Sequence, residues 1–151
     1  MLKFYNYDIV FQEIPDEVTL AINITNCPFR CDGCHSPHLH DDIGENLDEK
    51  TLDSLLDKYG KQITCLCFMG GDRSPEEVAK LSKYIHNKTK LKTAWYSGNS
   101  KLPHDFNLFD YVKTGQYVEK NGGLRSRTTN QRMYHIVNNQ PQDITERFFK
   151  K

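Results

Sequence analysis

The chain has 151 residues, and its 20 lysines and arginines balance 20 aspartates and glutamates, so it has no basic surplus of the kind that tracks a phosphate backbone; nucleic acid is not expected as a partner. That length suffices for one compact core and is short for two, so residues 1–151 are read as a single domain. Met1 to Tyr5 runs into polar residues without an apolar leader, and no apolar stretch approaches the ~20 residues that span a bilayer, so neither secretion nor membrane insertion is expected.

In chain order, Val18-Thr19-Leu20-Ala21-Ile22-Asn23-Ile24-Thr25 alternates strictly and predicts a strand, with Val18, Leu20, Ile22 and Ile24 on one face and a polar second face. A helix is predicted over about 48–59 from Leu52, Leu55, Leu56 and Tyr59 at i, i+3, i+4, i+7, with Asp48 as cap, Leu47 as staple and Gly60 as stop. Ile63 to Met69 reads as a second strand running into Gly70-Gly71-Asp72. The next helix, about 75–88, has Ser74 as cap, Pro75 at the first helical position, Glu77 to complete a capping box, and Val78, Leu81 and Ile85 as its buried stripe.

Further strands are predicted at Lys92–Ser97, around Tyr111–Thr114 and at Arg132–Val137, with a short apolar turn at Phe106–Phe109. Segment 120–130 and everything after Asn138 are polar and read as irregular. Strands alternating with helices at these intervals predict an α/β fold with a mainly parallel sheet, whose sites lie beyond the carboxyl ends of the strands. Both Gly70-Gly71-Asp72 and the segment after Thr25 sit at such ends.

That segment carries Cys27, Cys31 and Cys34, spaced C-x3-C-x2-C. Five cysteines in all, an odd number with three crowded into one loop, suit metal ligation in a reducing compartment better than disulfides, so the cytoplasm is expected. Three thiolates without an evident fourth suit a 4Fe-4S cluster with one iron open to another ligand. Zinc is the competing reading, with His35 or His38 as fourth ligand, but His35 adjoins Cys34, and structural zinc sites usually show two separated ligand pairs. Iron with acid-labile sulfide separates a cluster from a zinc-binding interaction module, and cleavage of S-adenosylmethionine separates an enzyme from a simple electron carrier.

The cysteine spacing after a first strand resembles the radical S-adenosylmethionine superfamily, and Cys34-His35 after Asp32-Gly33 is similar to the small activating proteins of anaerobic (class III) ribonucleotide reductase. The likeness extends over nearly the whole chain, through Gly70-Gly71-Asp72 and a late Thr129-Asn130-Gln131. It implies a small partial (β/α) barrel and a 4Fe-4S cluster held by Cys27, Cys31 and Cys34, whose open iron chelates S-adenosyl-L-methionine. It also implies backbone contacts from Gly33, Cys34 and His35 to the adenosyl part. The implied activity is reductive cleavage of S-adenosylmethionine to a 5'-deoxyadenosyl radical that generates a glycyl radical. The implied partners are the large anaerobic ribonucleotide reductase subunit and an electron donor such as flavodoxin or ferredoxin. An activase of the pyruvate formate-lyase kind is the nearest rival, though such activases carry a longer barrel. Two segments depart from the pattern: Gln12 to Glu17, where many relatives are glycine-rich, and Lys113-Thr114-Gly115 in place of a common Asp-Gly.

Gly70 and Gly71 let a backbone approach a ligand closely, with Asp72 on the ammonium side of a bound amino acid; a plain strand-to-helix turn is the alternative. Cys65 and Cys67 share a strand face and read as small buried hydrophobes. Trp95 and Tyr96 fit either core packing or an adenine neighbour, Lys113 reads as a solvated strand end that could meet a cofactor carboxylate, and His38 and His40 read as loop surface.

Overall fold

The structure, a computed structural model, describes residues 2–25 and 44–149. Strands β1 (Lys3–Val10), β2 (Thr19–Ile24) and β3 (Glu45–Asn46) precede helix α1 (Glu49–Tyr59), β4 (Cys65–Met69), helix α2 (Pro75–Lys88) and β5 (Lys92–Tyr96). A short 3-10 turn at Phe106–Leu108 leads to β6 (Tyr111–Thr114), β7 (Arg132–Val137), β8 (Gln140–Asp143) and a 3-10 turn at Thr145–Phe148. The eight strands form one sheet in the order β3-β1-β2-β4-β5-β6-β7-β8.

The α/β expectation holds, but the sheet is mixed: β2, β4, β5 and β6 are parallel, and antiparallel pairs flank them on both sides. Both helices lie on one face. Leu52 and Leu55 of α1 and Val78, Leu81 and Ile85 of α2 bury against Leu20, Ile22, Ile24, Leu66, Phe68, Trp95 and Val112. The apolar stripes read from the sequence are therefore the ones that close this core, through the burial of large aliphatic side chains at about 25 cal/mol per Å². Asp48 caps α1 as expected, accepting the Thr51 amide at 2.9 Å. Ser74 occupies the cap position of α2 but makes no side-chain cap bond. Its φ of −137° and ψ of 64° instead fit a turn in which its amide donates to Gly71 O at 3.0 Å, so the expected capping box does not form.

The opposite face holds a second cluster of Cys65, Cys67, Ala94, Tyr111 and Met133, and three distant segments pack onto it through Ile14, Leu124, and Ile144 with Phe148. The segment before β2 lies along this face: the Tyr96 hydroxyl donates to Glu13 O, and the Tyr111 hydroxyl donates to Glu17 Oε2 at 3.1 Å. Polar contacts tie the covering segments together, Arg125 to Gln12, and Arg147 to Asp16 at 2.7 Å.

On the helix side, α2 is fastened to β5 and β6 by a polar chain. Ser82 Oγ lies 2.7 Å from Thr93 Oγ1, which lies 3.0 Å from His86 Nε2, and His86 Nε2 lies 2.9 Å from Asp110 Oδ2. Burial alone would raise the Asp110 pKa, but the His86 bond and the Thr93 amide at 2.8 Å outweigh it and hold the carboxyl below its ordinary value of 3.8. A lowered folded-state pKa means that the stabilisation is complete above the ordinary value and is lost as pH falls through the folded one. Asp110→Asn is thus expected to cost about 1–2 kcal/mol at neutral pH. Denaturation midpoints of the two proteins should converge as the pH drops below about 4; a gap that persists in acid would contradict this origin.

Candidate functional site

The carboxyl ends of β2, β4, β5 and β6 point the same way, and the cysteine segment leaves from the first of them. Cys27, Cys31 and Cys34, with Gly33, His35, His38 and His40, lie outside the described residues. The flanks of that segment are defined. Thr25 donates its amide to Lys3 O at 2.9 Å, and on the return β3 pairs Glu45 and Asn46 with Phe4 and Lys3. Departure and return are thereby fixed beside the same two residues of β1.

Next to the exit of β2 stands the Gly70-Gly71-Asp72 turn. Both glycines have positive φ, 106° and 92°, a region that L side chains avoid. A Cβ on Gly70 would lie 3.2 Å from Ile24 O; one on Gly71 would lie 2.6 Å from Val78 Cγ2 and 3.3 Å from Ile24 Cδ1. Gly71 therefore lets the turn press onto the helix-side core. Trp95 is in that core, stacked on Phe109 with ring centroids 5.5 Å apart, and its indole N–H donates to Gly70 O at 2.7 Å. Asp72 Oδ1 accepts from Ser97 Oγ at 2.5 Å and Asn99 Nδ2 at 3.4 Å, and Oδ2 accepts from Gly98 N at 3.0 Å.

On the other face, strand register sets Asn6, Asn23, Met69, Tyr96, Lys113 and Met133 in one row across the sheet near these ends. Lys113 is 8% exposed, which corrects its reading as a solvated strand end. Its Nζ donates to Ser97 O and Gly115 O, each at 3.0 Å, and lies 5.4 Å from the centroid of the Tyr96 ring. The strand is central, between β5 and β7, so a side chain pointing to this face has no route to water along the sheet edge. Gln131 of Thr129-Asn130-Gln131 also reaches Gly115 O, at 3.2 Å, and Asn130 Nδ2 donates to Gln116 O at 3.0 Å, closing the long loop between β6 and β7 at its base.

Cys65 and Cys67 are fully buried, as expected; burial pushes both thiols well above their ordinary range, which leaves them protonated and poor metal ligands. Among the described residues no group of three or more His, Cys, Asp or Glu is placed to hold a metal. Sequence reasoning missed Glu17, a buried carboxylate at the opposite end of the strands that accepts from Thr64 Oγ1 at 2.7 Å and Lys92 Nζ at 2.8 Å. Its advance sign is the acid pair Asp16-Glu17 just ahead of an apolar strand.

A profile of the 4Fe-4S single cluster domain matches residues 18–117, well over half of the chain. The chain belongs to the 4Fe-4S single cluster domain family. This iron–sulfur protein has its matched span running from β2 past the end of β6, and so includes the three crowded cysteines and the glycine turn beside them. No curated protein and no solved structure matches it. The donor chemistry fits the cluster: soft thiolates are what its irons take, and the two described cysteines are withdrawn into the core. No helix among the described residues is long and apolar enough to cross a membrane.

Proposed function

We propose that Cys27, Cys31 and Cys34 each ligate one iron of the 4Fe-4S cluster, that the remaining iron is open to S-adenosylmethionine, and that the protein is a glycyl-radical activase. In this reading the parallel centre β2-β4-β5-β6, with α1 and α2 outside it, is a small partial (β/α) barrel. The supporting observation is that the chain enters the cysteine segment from the carboxyl end of β2, beside the Gly70-Gly71 turn at the end of β4, while the second face of the sheet is filled by Ile14, Leu124 and Phe148. A face filled in this way leaves little depth for enclosing a small substrate, and a radical needs water kept away. A partner segment laid across the strand ends supplies that cover.

When bound, the cluster supplies one electron to the sulfonium, whose C–S bond breaks to methionine and a 5'-deoxyadenosyl radical; this takes a hydrogen atom from glycine, giving 5'-deoxyadenosine and a glycyl radical. The electron comes from a small donor such as flavodoxin or ferredoxin. The proposed acceptor is the large anaerobic ribonucleotide reductase subunit. The protein's own part is to hold the cysteine segment at both flanks and present the Gly70 and Gly71 peptide groups to the methionyl end, with Gly33, Cys34 and His35 toward the adenosyl end.

Reduced protein loaded with S-adenosylmethionine and mixed with the class III reductase should give a glycyl-radical doublet in electron paramagnetic resonance, and the doublet should vanish in Cys31→Ala. Rapid cleavage of S-adenosylmethionine at a rate indifferent to the reductase, with no doublet, would count against the reading.

A further inference from the structure

The three acceptor bonds of Asp72 leave its carboxylate committed to its own chain. Oδ1 takes the Ser97 hydroxyl at 2.5 Å and the Asn99 amide nitrogen at 3.4 Å, Oδ2 takes the Gly98 amide at 3.0 Å, and Ser97 Oγ in turn accepts the Asn99 amide at 3.1 Å. The turn so captured is tied onward to the next strand. Ser97 N donates to Lys113 O at 2.8 Å, Lys113 Nζ bonds both Ser97 O and Gly115 O, and Gly115 N donates to Asn99 O at 2.6 Å. Gln131 Nε2 also reaches Gly115 O. One connected set of hydrogen bonds therefore runs from the end of β4 through the ends of β5 and β6 to the start of β7.

We infer that Asp72 is a positioning residue, which locks the Ser97-Gly98-Asn99 turn against the Gly70-Gly71 turn and so sets the backbone that receives the methionyl end of the cofactor, without itself bonding the cofactor. The inference rests on the S-adenosylmethionine reading above. Bonds to a carboxylate are charge-assisted, the stronger class of protein hydrogen bond, and the Ser97 bond is the short one of the three. An ammonium group that drew Oδ2 away from the turn would break the Gly98 bond and orphan that amide, so what a ligand gained there would be offset by what the turn lost. Held where it is, the carboxylate removes the freedom of a glycine-containing turn before the ligand arrives, which is how preorganisation raises affinity.

The test combines amide hydrogen exchange with calorimetric titration of S-adenosylmethionine on the reconstituted protein, for Asp72→Ala, Ser97→Ala and the double variant, with iron content as a control. Asp72→Ala is expected to speed exchange at Gly98 and Gly115 by about tenfold while leaving Phe68 in the core protected, and to weaken binding by about tenfold. Ser97→Ala should weaken binding in the same direction, and the double variant should be no worse than Asp72→Ala alone, because both act through one turn. If Asp72→Ala does not fold, Asp72→Asn keeps an acceptor for Gly98 and should show the same pattern in smaller degree.

Unchanged exchange at Gly98 in Asp72→Ala, or wild-type binding by Ser97→Ala beside a loss of about tenfold in Asp72→Ala, would overturn the inference and make Asp72 a direct ligand. Wild-type protein that holds its cluster but does not bind S-adenosylmethionine would sink the functional reading instead, while the exchange rates would still decide whether Asp72 locks the turn.

Discussion

Cys31→Ala, like Cys27→Ala and Cys34→Ala, is expected to recover no cluster from anaerobic reconstitution, where the wild-type protein should take up about four irons and four sulfides per chain. In the proposed ligation each thiolate holds a different iron, so the loss should be complete, and the described part of the chain offers no substitute: no other cluster of potential ligands is assembled there, and Cys65 and Cys67 sit in apolar surroundings that keep their thiols protonated. The same reasoning makes Cys65→Ala and Cys67→Ala the internal controls. Each removes a buried sulfur at a cost of about 1 kcal/mol in stability and should leave iron and sulfide at the wild-type level. Full iron content in any one of the first three variants, or its loss in either control, would overturn the assignment of ligands.

Gly71→Ala is expected to destabilise the fold by about 2–5 kcal/mol, a large share of the roughly 5–15 kcal/mol that a domain of this size has in total. Two costs combine. A φ of 92° is strained for any L side chain, and the added Cβ would stand 2.6 Å from Val78 Cγ2, so the first turn of α2 must shift or Val78 must leave its rotamer. Gly71→Val should be worse. Urea denaturation measures the effect as a lowered midpoint, and combining Gly71→Ala with Val78→Ala separates the causes, since truncating Val78 relieves the crowding and not the backbone strain. A Gly71→Ala midpoint equal to wild type would contradict the packing seen here. Because the Cβ would enter the core, a substitution at this glycine reads on the fold before it reads on any ligand.

The central strands and both helices were legible because their side chains alternate or recur at helical spacing over a buried face: Leu20, Ile22 and Ile24 on β2, Val78, Leu81 and Ile85 on α2. Of the flanking strands β7 was legible at Arg132–Val137, but β1, β3 and β8 were not. β1 is bulged between Phe4 and Asn6, which breaks the period of two, and β8 is Gln-Pro-Gln-Asp, an edge strand with no apolar face at all. Its hairpin did leave a trace in Asn138-Asn139, both at positive φ, the residues a tight two-residue turn favours. The glycine turn was visible as a motif, yet its packing against Val78 was not, and Lys113 looked solvated because nothing local announces that Glu13, Leu124 and Phe148 will cover the face it shares. Covering of that kind is set by residues far apart in the chain, which spacing rules do not reach.

The filled second face also fixes when the molecule can be finished during synthesis. Ile14 emerges early, but the side chains that complete its surroundings, Tyr111, Met133 and Phe148, are made much later, and the ion pair joining Asp16 to Arg147 spans 131 positions. A ribosome adding about 5–20 residues per second leaves the helix-backed half able to pack while Cys65, Cys67 and Ala94 still face water. Closing a sheet through partners this remote is slow, since the loop entropy must be met before the contacts repay it. The nascent chain therefore carries two buried-to-be thiols in the open, and only after Phe148 has docked are Cys65 and Cys67 withdrawn from water.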